Sequence, residues 1–478
     1  MFVMSDSRRT SIRRVAVIGG GISGLAAAHR LAELDPSLSV TLFESSDRLG
    51  GVVQTVERDG FLIEKAADMF ITREPWGIEL CRRIGFEEQL LETNEEKRRA
   101  FVVRRGKLHP VPDGFTLMTP VKIWPVVATP ILSPWGKMRL ACEYIIPPKK
   151  DNLDESLHSF AMRRMGREAY ERLVQPLISS IYTADPQQLS MRASMPQFFG
   201  MEQKYGSLAR GMRQLAKAKR SRDHGTGARY GLFVSARGGL ETLVHAVAER
   251  LPEGGVRLNT PIEKLAARAD GGWDISPGGG QPEPFDAVIV STPAPQAATL
   301  LAGVDEALST RLQAIPYAGT VILAMAFRRE QFSHPLDGFG YVVPIAENRK
   351  VLSVSFSSVK FAGRAPDDHV LLRVFVGGAC QSELLDLDDN QLQHLVEQEL
   401  QEVLGLQGKP QFCEFFRWPR AMPQYHVGHL QRVAEIEELA TALPNFALAG
   451  NAYRGVGIPF CIRSGEEAAA KICNGHAE

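Results

Sequence analysis

The stretch Arg13-Arg14-Val15-Ala16-Val17-Ile18-Gly19-Gly20-Gly21-Ile22-Ser23-Gly24-Leu25 changes character twice within a few residues. Its apolar run, Val15 to Ile18, reads as a strand. Glycines at the spacing G-x-G-x-x-G follow, and then a helix from about Ser23 to Leu34 with Leu25, Leu31 and Leu34 on one face. Strand, tight turn and helix in that order give this glycine spacing its meaning. Gly19 permits the turn, Gly21 lets a pyrophosphate approach the backbone, and Gly24 lets the helix pack closely on the sheet. The unpaired N–H groups of Ile22 and Ser23 at the helix start then face the phosphates, aided by the helix dipole at about 0.3–1 kcal/mol per favourable charge. A second strand, Ser39 to Phe43, ends at Glu44 and Ser45, twenty residues after Gly24. An acid at that distance accepts hydrogen bonds from ribose hydroxyls and disfavours a 2′-phosphate. NAD and FAD both satisfy these residues.

The next segment discriminates between them. Glu44 is followed by Arg48, Leu49, Gly50 and Gly51, and then by Phe61-Leu62-Ile63-Glu64. The E-x-x-x-R-x-G-G pattern resembles the flavin amine oxidase superfamily. The resemblance implies that Arg48 and the backbone of Gly50 and Gly51 lie over an FAD pyrophosphate and ring, with Ala66, Ala67 and Asp68 also at the cofactor. A second glycine-rich stretch, Gly450-Asn451 through Gly455-Val456-Gly457, follows the strand-like run Phe446–Ala449 and precedes a helix from about Ile458 to Asn474. Its backbone N–H groups would point at the flavin N1 and C2 carbonyl, where negative charge collects on reduction.

The chain's 478 residues are enough for two or three domains, and 55 basic residues balance 55 acidic ones. That balance gives no global electrostatic case for nucleic acid. Six cysteines show neither C-x-x-C spacing nor a neighbouring histidine cluster, so free thiols are expected and zinc is not. Met1 to Arg14 is polar and basic, without a secretory apolar stretch, which leads us to expect a cytoplasmic protein. No segment approaches the roughly 18 apolar residues of a membrane span. Residues 120–148 come closest, but Lys122, Lys137, Arg139, Glu143 and several prolines interrupt them. Three readings of that segment stay open: short amphipathic helices at a membrane interface, the lining of a hydrophobic pocket, or ordinary core.

The fold class expected is α/β. A Rossmann-like FAD-binding domain is assembled from residues 12–74, 228–295 and 440–478. The mainly helical insertion 75–225 separates the first two pieces, and a mixed α+β substrate domain, 296–439, separates the last two. The helical insertion ends in a charge run, Lys217 to Arg222, and a flexible loop around Arg220 to Gly227. The middle piece carries Arg237-Gly238-Gly239-Leu240 and the buried-looking run Ala287-Val288-Ile289-Val290, leading to Ser291. Strands are expected over Thr320–Phe327, Val351–Phe356 and Val370–Val376, with a helix over Asp388–Leu404.

Three segments together make the resemblance specific: Gly450 to Ile462, Gln175-Pro176-Leu177-Ile178-Ser179-Ser180-Ile181-Tyr182-Thr183-Ala184-Asp185-Pro186 continuing to Leu189-Ser190-Met191, and Arg237 to Leu240. They look like those of the oxygen-dependent porphyrinogen oxidases, protoporphyrinogen oxidase and its coproporphyrinogen-using relatives. The resemblance implies a porphyrinogen substrate, hydride transfer from its meso carbon to flavin N5, loss of a pyrrole proton, and reoxidation by O2 to give H2O2, three times over. The cofactor carries this chemistry, so no catalytic acid or base is nominated. The Ser180 carbonyl is expected to accept a pyrrole N–H, and Arg98 or Arg99 to bind a propionate. Oligomeric state stays open, with a homodimer as one arrangement and a ferrochelatase as a candidate recipient of the product.

The chain departs from the family pattern at several points. Ala66-Ala67 stand where Gly-Pro is usual, Ser180 and Ala184 where glycines are common, and Phe460 where an aspartate is usual. Two rivals therefore remain. One is a flavin oxidase or desaturase acting on amines or carotenoids; the other is a non-catalytic flavin or porphyrin carrier.

Overall fold

The computed structural model describes residues 12–120, 122–222 and 231–474. The expectations for Met1 to Ser11 and for most of the loop ending at Gly227 lie outside the described residues.

Five parallel strands form the central sheet, in the spatial order Val256–Arg257, Ser39–Phe43, Arg14–Ile18, Ala287–Val290, Phe446–Leu448. Val15 pairs with Val40 on one side and Ala287 on the other, and Val288 pairs with Phe446. Both faces are covered, which explains why these strands read as continuous apolar runs without alternation. On one face Val15, Val17, Leu42 and Ile289 pack with Leu25, Leu31, Ile462 and Ala469. On the other, Ala16, Ile18, Val288 and Val290 pack with Trp273, Leu301, Val433 and Ile436. Helix Ile22–Leu34 lies against the final helix, Ile458–Asn474, so closely that a Cβ on Gly465 would overlap the carbonyl oxygen of Ser23. The first and last helices are therefore neighbours in one layer.

A seven-stranded mixed sheet forms the second body, in the order Phe412–Pro423, Tyr317–Arg328, His369–Gly377, Val351–Phe356, Gly340–Val342, Phe101–Arg104, Lys107–Pro110. All its pairings are antiparallel except Gly340–Val342 with Phe101–Arg104. Helix Asp389–Leu404 covers one face through Leu392, Val396 and Leu400. Asp388 and Gln391 form its capping box and Gly405 ends it in the left-handed conformation, so both ends were marked in the sequence.

The helical insertion has its own core, built on Leu157, Phe160, Leu173, Ile178, Leu189 and Met191. Beneath it, Arg164 and Glu202 are fully buried. Arg164 pairs with Glu143 and Glu202, and Glu143 in turn accepts from the Leu208 N–H at the start of helix Leu208–Arg222. Among the described residues of 120–148 are two short α-helices, Ile123–Ala128 and Pro134–Ala141, and a 3-10 turn, Cys142–Tyr144. Val126, Ile131, Leu132 and Leu140 face the core, while Trp124 and Trp135 are each 76% exposed and Ile145 is 79% exposed. The segment thus has a buried side and an apolar outer side. Among the described residues no helix is long and apolar enough to cross a membrane.

Candidate functional site

The strand order reverses between Arg14–Ile18 and Ala287–Val290, and ligands of open parallel sheets bind outside the carboxyl ends of strands at such a point. Gly19 follows the first strand with φ +106°, a conformation that favours glycine, and its N–H donates to the Phe43 carbonyl at 2.8 Å. A Cβ on Gly24 would overlap the Gly19 carbonyl oxygen, so the last glycine of the motif is required by helix-to-turn contact. Ser291, which sequence reasoning left without a role, locks the turn from the neighbouring strand. Its hydroxyl sits 3.0 Å from the Ile18 carbonyl and 2.8 Å from that of Gly19.

Glu44 stands at the carboxyl end of the second strand. Its Oε2 accepts from the Gly20 N–H at 2.7 Å and its Oε1 from the Ser46 N–H at 2.8 Å, with the Ser45 hydroxyl at 3.2 Å. Burial pushes this carboxyl up, but those N–H and hydroxyl donors outweigh it and hold it below the usual range. Glu44 is therefore ionised at neutral pH. Gly50 donates to the Gly20 carbonyl at 2.8 Å and bridges Gly21. Arg48 holds its own loop, donating to the carbonyls of Leu49 at 2.9 Å and Gly51 at 2.5 Å.

The closing loop meets this region because its strand, Phe446–Leu448, lies beside Ala287–Val290. Gly450 has φ +135°, and its N–H donates to Ser464 Oγ at 3.0 Å. Gly455 has φ +138°, and the Phe460 ring fills the place of its missing Cβ. This glycine thus accommodates the Phe460 ring. Val456 packs against the core of the helical insertion.

The backbone itself offers a test of whether a flavin nucleotide fits. A Cβ built on Gly21 or on Gly450 meets nothing within 4 Å. Helix Ile22–Leu34 has no side-chain cap and no acid in its first turn. An uncapped helix start behind open space is suited to a phosphate group. These residues fit the group.

Asp68 closes one side of the Ala66-Ala67 loop. Its carboxylate lies 2.5 Å from Lys360 Nζ and 3.1 Å from Arg373 Nη1, and Arg373 also donates to the Ala66 carbonyl. Burial pushes the Asp68 carboxyl up, but Lys360 and Arg373 outweigh it and hold it low. Glu64 joins the first piece to the middle one, and Arg364 joins the 296–439 segment to the middle one. Glu64 accepts from the Leu240 N–H at 2.8 Å, and Arg364 donates to the carbonyls of Ala236 at 2.7 Å and Arg237 at 3.0 Å. Burial pushes the Glu64 carboxyl above its usual range. Sequence reading missed Lys360, Arg364 and Arg373. The signal for Arg373 was a lone cation inside the apolar run Val370 to Val376.

Ser180 lies in the last turn of helix Gln175–Tyr182, where carbonyls lack an intrahelical donor, and its hydroxyl donates to the Leu177 carbonyl at 2.8 Å. Arg99 pairs with Asp337 at 3.2 Å, both side chains being exposed, and Arg98 is exposed as well.

Comparison with known proteins adds to this geometry. The flavin containing amine oxidoreductase family matches residues 22–473. A protein of Bacillus subtilis named coproporphyrinogen III oxidase is 35% identical over 97% of this chain and 98% of its own. One of the same name from Staphylococcus aureus is 30% identical over 96% and 99%. A crystal structure from Exiguobacterium sp. 255-15, provisionally named a protoporphyrinogen oxidase, aligns with a TM-score of 0.84 at 33% identity, covering 97% of this chain and 99% of that one. This chain belongs to the flavin containing amine oxidoreductase family, and its cofactor is a flavin.

Proposed function

We propose that this protein is an FAD-dependent porphyrinogen oxidase of haem biosynthesis that converts coproporphyrinogen III to the porphyrin, with O2 as acceptor and H2O2 as by-product. The observation that carries the reading is end-to-end similarity to two proteins of that name. An ionised Glu44 at the end of the second strand is what an adenosine ribose needs, which favours FAD over a mononucleotide. When bound, the flavin supplies the two-electron acceptor for a hydride from the substrate's meso carbon.

The chain's part is to bind, orient and exclude water. The carbonyl of Ser180 orients a pyrrole N–H, and Arg98 or Arg99 offers a guanidinium fork to a propionate. Val456 and the insertion core behind it keep the reacting face apolar. The product is flat and poorly soluble, which suits direct transfer to a ferrochelatase. The outer faces of the helices at 123–141 rest on a membrane surface, with Trp124 and Trp135 at the interface and Lys122 and Lys137 near anionic headgroups, while Arg139 turns inward to the carbonyls of Met162, Arg163 and Arg164.

The test is to supply purified holoprotein with coproporphyrinogen III or protoporphyrinogen IX under O2, following porphyrin fluorescence and peroxide. Faster turnover of the tetracarboxylate supports the reading. Porphyrin binding without flavin reduction under anaerobic conditions would sink it in favour of a carrier.

A further inference from the structure

The loop from Gly450 to Gly457 contains no strand or helix, so something outside it must set its shape. Besides Ser464 at its start, two side chains hold its middle: Tyr425, from the connection that follows strand Phe412–Pro423, and His429, the first residue of the helix His429–Ala442. The Tyr425 hydroxyl donates to the Asn451 carbonyl at 2.6 Å and accepts from the Gly455 N–H at 2.8 Å, so one oxygen spans both ends of the loop's middle. His429, fully buried, lies flat on the Tyr425 ring at 4.0 Å between centroids and 13° between planes. Its Nε2 donates to the Tyr453 carbonyl at 2.9 Å. Since a carbonyl can only accept, this bond fixes the tautomer with the proton on Nε2.

The same connection is also tied to the helical insertion. The Ser190 N–H donates to the Tyr425 carbonyl at 2.7 Å, Leu189 bridges His426, and the Val427 N–H donates to the Gln188 carbonyl at 2.8 Å. Gln424 reaches the Tyr182 carbonyl at 3.2 Å. One residue therefore bonds through its backbone to the insertion and through its hydroxyl to the closing glycine loop.

We propose that Tyr425 is a positioning residue: its hydroxyl, with His429 stacked on its ring, holds the backbone of the 451–455 loop in the geometry that receives the reduced flavin, and couples that loop to the insertion at 188–190. The inference rests on the flavin reading of the closing loop and not on which substrate is oxidised. Deleting the hydroxyl leaves the Asn451 carbonyl and the Gly455 N–H without this partner, while a phenylalanine ring keeps the stack on His429.

The experiment compares wild type with Tyr425→Phe for FAD affinity, flavin midpoint potential and apoprotein unfolding in denaturant. The expected result is a roughly tenfold rise in the FAD dissociation constant, a further tenfold loss confined to the reduced form, and apoprotein stability close to wild type. That further tenfold corresponds to a midpoint potential about 30 mV lower for a two-electron couple. Wild-type affinity and potential in the variant would overturn the proposal. A loss of apoprotein stability with an unchanged potential would overturn it equally, because that is what a merely structural tyrosine gives. Should Tyr425→Phe not accumulate folded, His429→Gln carries the same comparison, since its amide can still donate to Tyr453 but cannot stack. The expected shift is in the same direction, and an unmoved potential again refutes the role. Failure of the wild type to bind FAD would remove the flavin reading itself.

Discussion

The two glycine loops that meet at the sheet are held in different ways. In the opening loop the constraints come from the motif and its own sheet: Gly19 needs its positive φ, Gly24 has no room for a Cβ, and Ser291, just past the adjacent strand, seals the turn. In the closing loop Gly450 and Gly457 meet no close obstruction and only Gly455 is crowded, by Phe460, while the middle of the loop is held by Tyr425 and His429 from another part of the chain. The opening loop should therefore keep its form as long as the sheet does. The closing loop depends on a remote contact and is the one that other parts of the molecule can tune.

If that contrast holds, the largest effect comes from Gly24→Ala, because the Gly19 carbonyl cannot yield without breaking the turn. Apoprotein stability should fall by about 4 kcal/mol or more, read from the denaturant midpoint. A variant that unfolds like wild type would show that the opening loop is not self-constrained.

The next largest concerns His429. Burial, with Arg432 and Arg454 nearby, pushes this imidazole down from 6.5 to about 4, against the bond to Tyr453 that raises it. The folded protein holds His429 neutral, so between those pH values the unfolded chain binds more protons. The stability from this residue is full above pH 6.5 and is lost as pH falls toward 4, roughly 3 kcal/mol in all. His429→Gln should flatten the pH dependence of thermal unfolding in that window. Parallel curves for the two proteins would contradict the buried neutral ring.

The smallest effect is the most selective. A Cβ at Gly457 meets only ordinary contacts, the nearest at 3.7 Å from Phe460, so Gly457→Ala should fold and bind FAD nearly as wild type. Gly457→Asp should fold equally well yet bind FAD about tenfold more weakly, about 1.4 kcal/mol, because it sets a negative charge beside the ring. Equal FAD content in both variants would place the ring elsewhere.

Much of this architecture is legible in the amino-acid order, for physical reasons that differ by element. Ser39–Phe43, Val351–Phe356 and Ile458–Asn474 fall where apolar period and punctuation put them, because local pattern and burial agree there. The glycine turns and Glu44 are readable because each needs a residue type that little else can replace. Phe101–Arg104 is recognisable as a strand, but its partner Gly340–Val342 lies far along the chain, and no local signal names a partner. Tyr425, His429, Lys360 and Arg373 escape for the same reason, since their roles exist only after distant segments meet. The exposed faces of Trp124 and Trp135 could not be separated from core by composition, because the same short helices bury Val126 and Leu140 on their other sides.

The outermost parallel strand of the nucleotide-binding sheet, Phe446–Leu448, is translated after its neighbour Ala287–Val290 and after the strands from Tyr317–Arg328 to Phe412–Pro423. During synthesis the nascent polypeptide must keep Ala287–Val290 as an unpaired rim until residues 446–448 clear the ribosome. Until then the growing chain exposes an apolar edge open to chaperones and to self-association.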